Sequence, residues 1–104
     1  MATVVWTNLA ARNLELIHQY IAEDSPTYAS RFVKSLIDST KKLEKYPSCG
    51  RFVPEFEAHS LREVIYRNYR IVYRISGNGE QVEILAVVHA ARNLANVIKP
   101  EWEL

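Results

Sequence analysis

The sequence predicts an α+β fold: a short strand, a hairpin of two helices, then three strands, with the helices packed on one face of a mainly antiparallel sheet (β-α-α-β-β-β). Three observations predict it. Apolar residues recur twice at helical spacing between residues 9 and 46. Apolar and charged residues then follow strand spacing over 61–75. The breaks between these segments carry turn chemistry: Asp24-Ser25-Pro26, Pro47-Ser48-Cys49-Gly50, Arg67-Asn68 and Gly77-Asn78-Gly79.

Residues 3–6, Thr-Val-Val-Trp, form a β-rich run and a first strand. Asn8 is positioned to cap the next helix, in which Ala10, Leu14, Ile17 and Ile21 repeat at helical spacing up to about residue 23. Ser25 is a good N-cap and Pro26 suits the first helical position, so a second helix begins there. Its stripe of Ala29, Phe32, Val33, Leu36, Ile37, Thr40 and Leu43 runs unbroken to about residue 46, where Pro47 ends it. With so short a break between them, the two helices pair as an antiparallel hairpin. Residues 50–60 read as a loop or an irregular edge, and 61–66, 69–75 and 82–89 as strands. Residues 90–104 read as a short helix or arm, limited by Pro100.

A tight turn at Arg67-Asn68 sets a register: Tyr66 opposite Tyr69, Val64 opposite Ile71, Arg62 opposite Tyr73. One face then carries Val64, Tyr66, Tyr69, Ile71, Tyr73 and Ile75, and the helices cover it. The other carries Leu61, Glu63, Ile65, Arg67, Arg70, Val72 and Arg74. The simplest extension across Gly77–Gly79 sets Ile84 opposite Tyr73, Leu85 opposite Val72 and Glu83 opposite Arg74. It brings His89 to the charged face beside Asn68 and Arg70, over an apolar floor of Ile65, Val72, Leu85 and Val87. The last strand is apolar on both faces, which predicts an interior position. A half-apolar, half-charged open face suits binding to another chain. Cross-strand pairing of Glu63 and Glu83 with Arg70 and Arg74 is the purely structural alternative.

At 104 residues the chain is expected to form one domain over its whole length. Hydrophobic content of 48% and charged content of 24% are ordinary for a globular protein. The formal net charge is only +1, so an anion site must come from local clustering. Residues 61–75 supply it, with four Arg against one Glu, while 52–60 hold Glu55 and Glu57 and no Lys or Arg. Cys49 is the only cysteine, so no intrachain disulfide forms. No apolar run approaches 20 residues and no signal-peptide pattern opens the chain, which leads to the expectation of a cytosolic protein without membrane association.

No GxGxxG, GxxxxGK[ST] or GxSxG pattern occurs. His18, His59 and His89 are widely separated and lack metal-ligand spacing, so neither a metal nor a cofactor is expected. The remaining signal is an arginine-rich strand face with a histidine at a strand end. Arginine binds phosphate bidentately and histidine moves protons near neutral pH. The same set equally suits an acidic protein segment.

Several segments together resemble the RelE/ParE superfamily of bacterial toxins from type II toxin–antitoxin pairs. They are the opening VVWTNLAARNLELIHQYIAEDSP, the helix with Ala29, Phe32, Val33 and Leu36, and Leu43, Tyr46, Pro47, Gly50 and Arg51 in the pattern L-xx-YP-xx-GR. REVIYRNYRIVYRI and VEILAVVHAAR complete the set. The resemblance covers nearly the whole chain and implies the same β-α-α-β-β-β fold. RelE-type members cut mRNA on the ribosome; ParE-type members poison DNA gyrase. The Asp24-Ser25-Pro26 junction, the stretch 47–51 and the VVHAAR ending look more like the ParE branch.

For the ribonuclease branch, the resemblance implies catalytic roles for Arg70, His89 and Arg92. This chain departs from that pattern: it has no Tyr after Tyr73 and no Lys in 52–60. The resemblance therefore implies a gyrase-poisoning toxin that forms a hetero-oligomer with its cognate antitoxin. A ribosome-dependent mRNA endonuclease and an inactive antitoxin-binding module are the alternatives. Arg51, Arg62, Arg67, Arg70 and Arg74 are the candidate residues for binding antitoxin or target. An antitoxin segment would fold on the open sheet face or in the grooves beside the hairpin, with its acidic residues on Arg62, Arg70 and Arg74.

Overall fold

The computed structural model describes residues 1–56 and 60–94. His59, Glu57 and most of the predicted arm at 90–104 lie outside them. The elements follow the order β1 (Thr3–Trp6), α1 (Asn8–Ala22), α2 (Pro26–Asp38), α3 (Lys42–Lys45), β2 (Arg51–Phe52), β3 (Arg62–Tyr66), β4 (Tyr69–Ser76) and β5 (Gln81–His89). One sheet has the order β1-β5-β4-β3-β2. β1 runs parallel to β5, and every other pairing is antiparallel. β5 therefore occupies the interior position that its two apolar faces predict.

Two local expectations are corrected. Thr7, not Asn8, caps α1: its hydroxyl accepts from Ala10 N at 3.2 Å and donates to the Ile84 carbonyl at 2.9 Å. One side chain thus caps the helix and ties it to β5. The second helix also does not run unbroken to residue 46. It stops at Asp38, because the Ser39 hydroxyl donates to Leu36 O at 2.6 Å and the Thr40 hydroxyl to Ile37 O at 2.7 Å. Such local bonds compete with the helical ladder, and consecutive Ser-Thr supplies two of them. The apolar stripe continues across the break, with Thr40 and Leu43 both buried.

The main core lies between the helices and one sheet face. It contains Ala10, Ile17, Phe32, Leu36 and Leu43 from the helical layer, and Val64, Ile71, Tyr73, Val82, Ile84 and Val87 from the sheet. The β3–β4 register matches the expectation, with Arg62 opposite Tyr73, Val64 opposite Ile71 and Tyr66 opposite Tyr69. The β4–β5 register matches only as far as Tyr73 opposite Ile84. There a bulge intervenes, and Val72 pairs with Ala86. Leu85 is the extra residue, and Leu85 and Ala86 both face away from the helices.

The bulge reverses the alternation beyond it. Val87 turns to the helix side, Val88 to the opposite side, and His89 comes opposite Tyr69 on the helix side. The sheet's second face is not an open floor either. Val53, Phe56 and Leu94 fold over Leu61, Val72, Leu85, Ala86 and Val88 and make a second, smaller core. No helix among the described residues is long and apolar enough to cross a membrane.

Candidate functional site: the arginine face of the sheet

Arg70 lies at the centre of this face, and its guanidinium is buried with 6% of the side chain exposed. Nε donates to Glu63 Oε1 at 2.7 Å. Nη1 and Nη2 grip Glu55 in a bidentate fork, both at 2.7 Å, and Nη1 also donates to the Arg92 carbonyl at 3.1 Å. Glu63 is fully buried, and its second oxygen accepts from Arg51 Nε and Nη2, each at 2.6 Å. Glu55 accepts in addition from Leu94 N at 3.0 Å. The chain Arg51–Glu63–Arg70–Glu55 thus fastens residues 53–56 and 92–94 over the second core.

The charges follow from this wiring. Hydrogen bonds from Arg70 hold the Glu55 carboxyl down at about 2, against its burial, and the Leu94 N–H reinforces them. Hydrogen bonding to Glu55 pushes the Arg70 pKa further above its ordinary value. A carboxyl whose folded pKa lies below its unfolded value of 4.5 stabilises the fold above that pH and loses the contribution as pH falls through about 2. For Glu55 this amounts to at most about 3 kcal/mol. Thermal unfolding of wild type and Glu55→Gln between pH 7 and 2 is expected to show a wild-type advantage that disappears towards the acid end. A constant difference over that range would contradict the assignment.

The other four candidate arginines are held in different ways. Arg62 donates through Nη1 to the Ser48 and Gly50 carbonyls, at 3.1 and 2.9 Å, and its guanidinium lies 4.1 Å from the centre of the Phe52 ring. Arg74 pairs with Glu83 at 3.0 Å, with about a quarter of each side chain exposed. Arg51 keeps 63% of its side chain exposed beside Glu63. Arg67 is exposed at the β3–β4 turn, apart from this network, with its guanidinium 5.9 Å from the centre of the Tyr66 ring.

The proposed catalytic trio does not converge. His89 stands on the far side of the sheet from Arg70, stacked edge-on against Tyr69 with ring centres 5.8 Å apart. Its Nδ1 accepts from Ala91 N at 3.2 Å, and the Asn68 amide lies 3.3 Å from Nε2. The expectation that His89 shares the charged face is corrected by the Leu85 bulge. Arg92 meets Arg70 through its backbone carbonyl, while its side chain is exposed.

Sequence reading missed Glu55 as a member of the network. The available signal was complementary charge: a loop with two glutamates and no base directly precedes the arginine-rich strands. The L-xx-YP-xx-GR segment is likewise explained by packing. Leu43 is fully buried, the Tyr73 hydroxyl donates to Pro47 O at 2.6 Å and accepts from Gly50 N at 2.9 Å, and Arg51 neutralises Glu63.

Comparison with known proteins places this geometry. Residues 4–94 match the family model described as the ParE toxin of the type II toxin–antitoxin system parDE. The chain belongs to the ParE toxin family. It is 37% identical over 95 residues to Y4kP of Sinorhizobium fredii, covering 89% of this chain and 93% of that one. It is also 37% identical over 93 residues to Toxin RelE2 of Caulobacter vibrioides, covering 88% and 99% respectively. Among solved structures, this ParE-family chain shares its fold with a chain of the chromosomal ParDE system of P. aeruginosa. The TM-score is 0.70 at 23% identity, over 86% of this chain and 96% of that one. A chain of the RelBE2 toxin–antitoxin complex of Mycobacterium tuberculosis superposes with TM-score 0.61 at 24% identity, over 85% and 96%. The protein is a type II toxin of the RelE/ParE superfamily, and its helical hairpin on a mainly antiparallel sheet is that superfamily's fold.

Proposed function

We propose that this toxin arrests growth by poisoning DNA gyrase in the cytosol, and that a cognate antitoxin neutralises it in a hetero-oligomer. The observation that carries the choice of target is the disposition of Arg70, His89 and Arg92. General acid–base cleavage of RNA needs a proton donor or acceptor and a phosphate-binding cation around one reacting atom. Here the arginine is saturated by two carboxylates, and the histidine stands across the sheet from it. The ribosome-dependent nuclease reading would require Glu55 to release Arg70 and the last strand to change register.

On this reading the arginine face serves protein recognition. Arg51 and Arg74 retain exposed guanidinium surface for acidic antitoxin residues, while Arg70 and Arg62 organise the face from below. The test is a supercoiling assay with purified gyrase and excess toxin, read with and without the antitoxin. The toxin is expected to block supercoiling, and the antitoxin to restore it less well against the Arg51→Glu/Arg74→Glu toxin. Normal supercoiling at excess toxin, with mRNA cut on translating ribosomes, would replace this reading with the nuclease. Normal supercoiling with intact mRNA would leave an antitoxin-binding module.

A further inference from the structure

The chain has eight arginines. Arg12, Arg51, Arg70 and Arg74 pair with carboxylates, and Arg62 is held by two carbonyls and an aromatic ring. Arg31, Arg67 and Arg92 have no acidic partner among the described residues. Two of these three line one cleft. It opens between α2 and the β3–β4 turn, has a volume of about 170 Å³, and is walled by Tyr28, Arg31, Phe32, Ser35, Tyr66 and Arg67. Among the described residues no carboxylate lines it.

The backbone fixes where the Arg67 cation stands. Arg67 has φ of 56°, in the left-handed region where glycine is favoured. A two-residue hairpin turn requires a positive φ at this position, so the turn fixes the conformation, at a cost on the order of 1 kcal/mol for an arginine. At the apex of a tight turn Arg67 brings a cation to the cleft, across from the middle of α2, where Arg31 lies.

We propose that this cleft binds a phosphate monoester attached to a flat ring. Two arginines around so small a space repel each other and are balanced best by a dianion, which a phosphate monoester is above about pH 6. A carboxylate carries one charge and two oxygens, and a single guanidinium satisfies it. The Ser35, Tyr28 and Tyr66 hydroxyls offer further donors for the remaining phosphate oxygens. The volume is below the roughly 300 Å³ at which whole-molecule pockets begin, so the cleft holds the anionic end of a larger ligand. The rest would lie on Tyr28, which is 54% exposed and stands in an aromatic series with Phe32 and Tyr66. Free nucleoside monophosphates and the 5′-phosphorylated end of a single strand share this chemistry. The site lies apart from the Arg70 network and does not depend on the choice between gyrase and ribosome.

The test is a titration of the full chain with phenyl phosphate, followed by backbone amide shifts, with inorganic phosphate in parallel. Saturable binding centred on residues 28–35 and 66–67 is expected, tighter for phenyl phosphate than for phosphate and weaker at pH 5 than at pH 7.5. Arg31→Gln and Arg67→Gln are each expected to weaken it about tenfold or more, as loss of a charge-assisted bidentate bond does. Arg12→Gln is expected to leave it unchanged. Arg67→Gly relieves the turn while removing the cation, so it is expected to unfold a few degrees higher than wild type and still lose binding. A 5′-phosphorylated oligonucleotide binding better than its 5′-hydroxyl twin, and better than a nucleoside monophosphate, identifies a strand end; the reverse order identifies the free nucleotide. Absence of saturation, or equal weakening by Arg12→Gln and Arg67→Gln, would overturn the site. Equal affinity for phosphate and phenyl phosphate would overturn the role of the ring.

Discussion

Replacing Arg70 with methionine is expected to lower the midpoint of thermal unfolding by roughly 12–20 °C, the equivalent of about 3–4 kcal/mol. The size follows from what the substitution strands. Glu63 is fully buried and loses its partner at Oε1, keeping only Arg51 at Oε2. Glu55 loses a bidentate fork and is left with backbone N–H donors such as Leu94 N. Removing one member of a buried ion network costs far more than the network itself contributes, because uncompensated charge remains inside. Glu55→Leu/Glu63→Met/Arg70→Met is therefore expected to recover much of the loss. Arg70→Lys recovers little, since a single ammonium cannot serve two carboxylates in the directions the fork does. Differential scanning calorimetry of the three variants decides it. An Arg70→Met midpoint within about 2 °C of wild type would make the pairs dispensable and return Arg70 to the pool of free binding residues. Loss of toxicity in an Arg70 variant carries meaning for target binding only beside this measurement.

The second large effect is expected at Gly50. A Cβ built there meets the Tyr73 hydroxyl at 2.6 Å, Tyr73 Cε1 at 2.7 Å and the Glu63 carbonyl oxygen at 2.7 Å. Neither obstacle can yield. The Glu63 oxygen belongs to β3, and the Tyr73 ring is fully buried with its hydroxyl bonded on both sides. Gly50→Ala is thus expected to cost about 3 kcal/mol, at the upper end of overpacking substitutions. Tyr73→Phe, which leaves the Pro47 carbonyl and the Gly50 N–H without their partner, is expected to cost about 1–3 kcal/mol. Urea unfolding of both variants checks the pair. A Gly50→Ala toxin as stable as wild type would show that residues 47–51 can move away from β4.

These two sites mark how far the sequence could be read. Gly50 and Pro47 were visible as a motif, but their reason was not, because Tyr73 is 23 residues from Gly50 along the chain. Local periodicity told where β3 and β4 lie and which residues face each other, since a tight turn transmits register by counting. It did not reveal the Leu85 bulge, because Val, Ile, Leu and Ala follow one another through β5 and either face accepts any of them. One extra residue there placed His89 across the sheet from Arg70. The broken second helix has a similar cause: the stripe stays in phase across Ser39-Thr40, so periodicity alone does not show where the ladder stops.

By itself, the sequence determined the order of the two long helices and the main strands, the hairpin of helices on a sheet and the interior place of the last strand, which rest on local propensity and on patterns that repeat within a few residues. Membership in a toxin family came instead from the resemblance of segments spread along nearly the whole chain. Only the tertiary structure decided which arginines are structural and which remain available. That depends on acids 7 to 15 residues away finding Arg70, and on Arg31 and Arg67 having no carboxylate partner among the described residues. Ion pairing inside a protein is settled by three-dimensional proximity and burial, and spacing along a chain records neither.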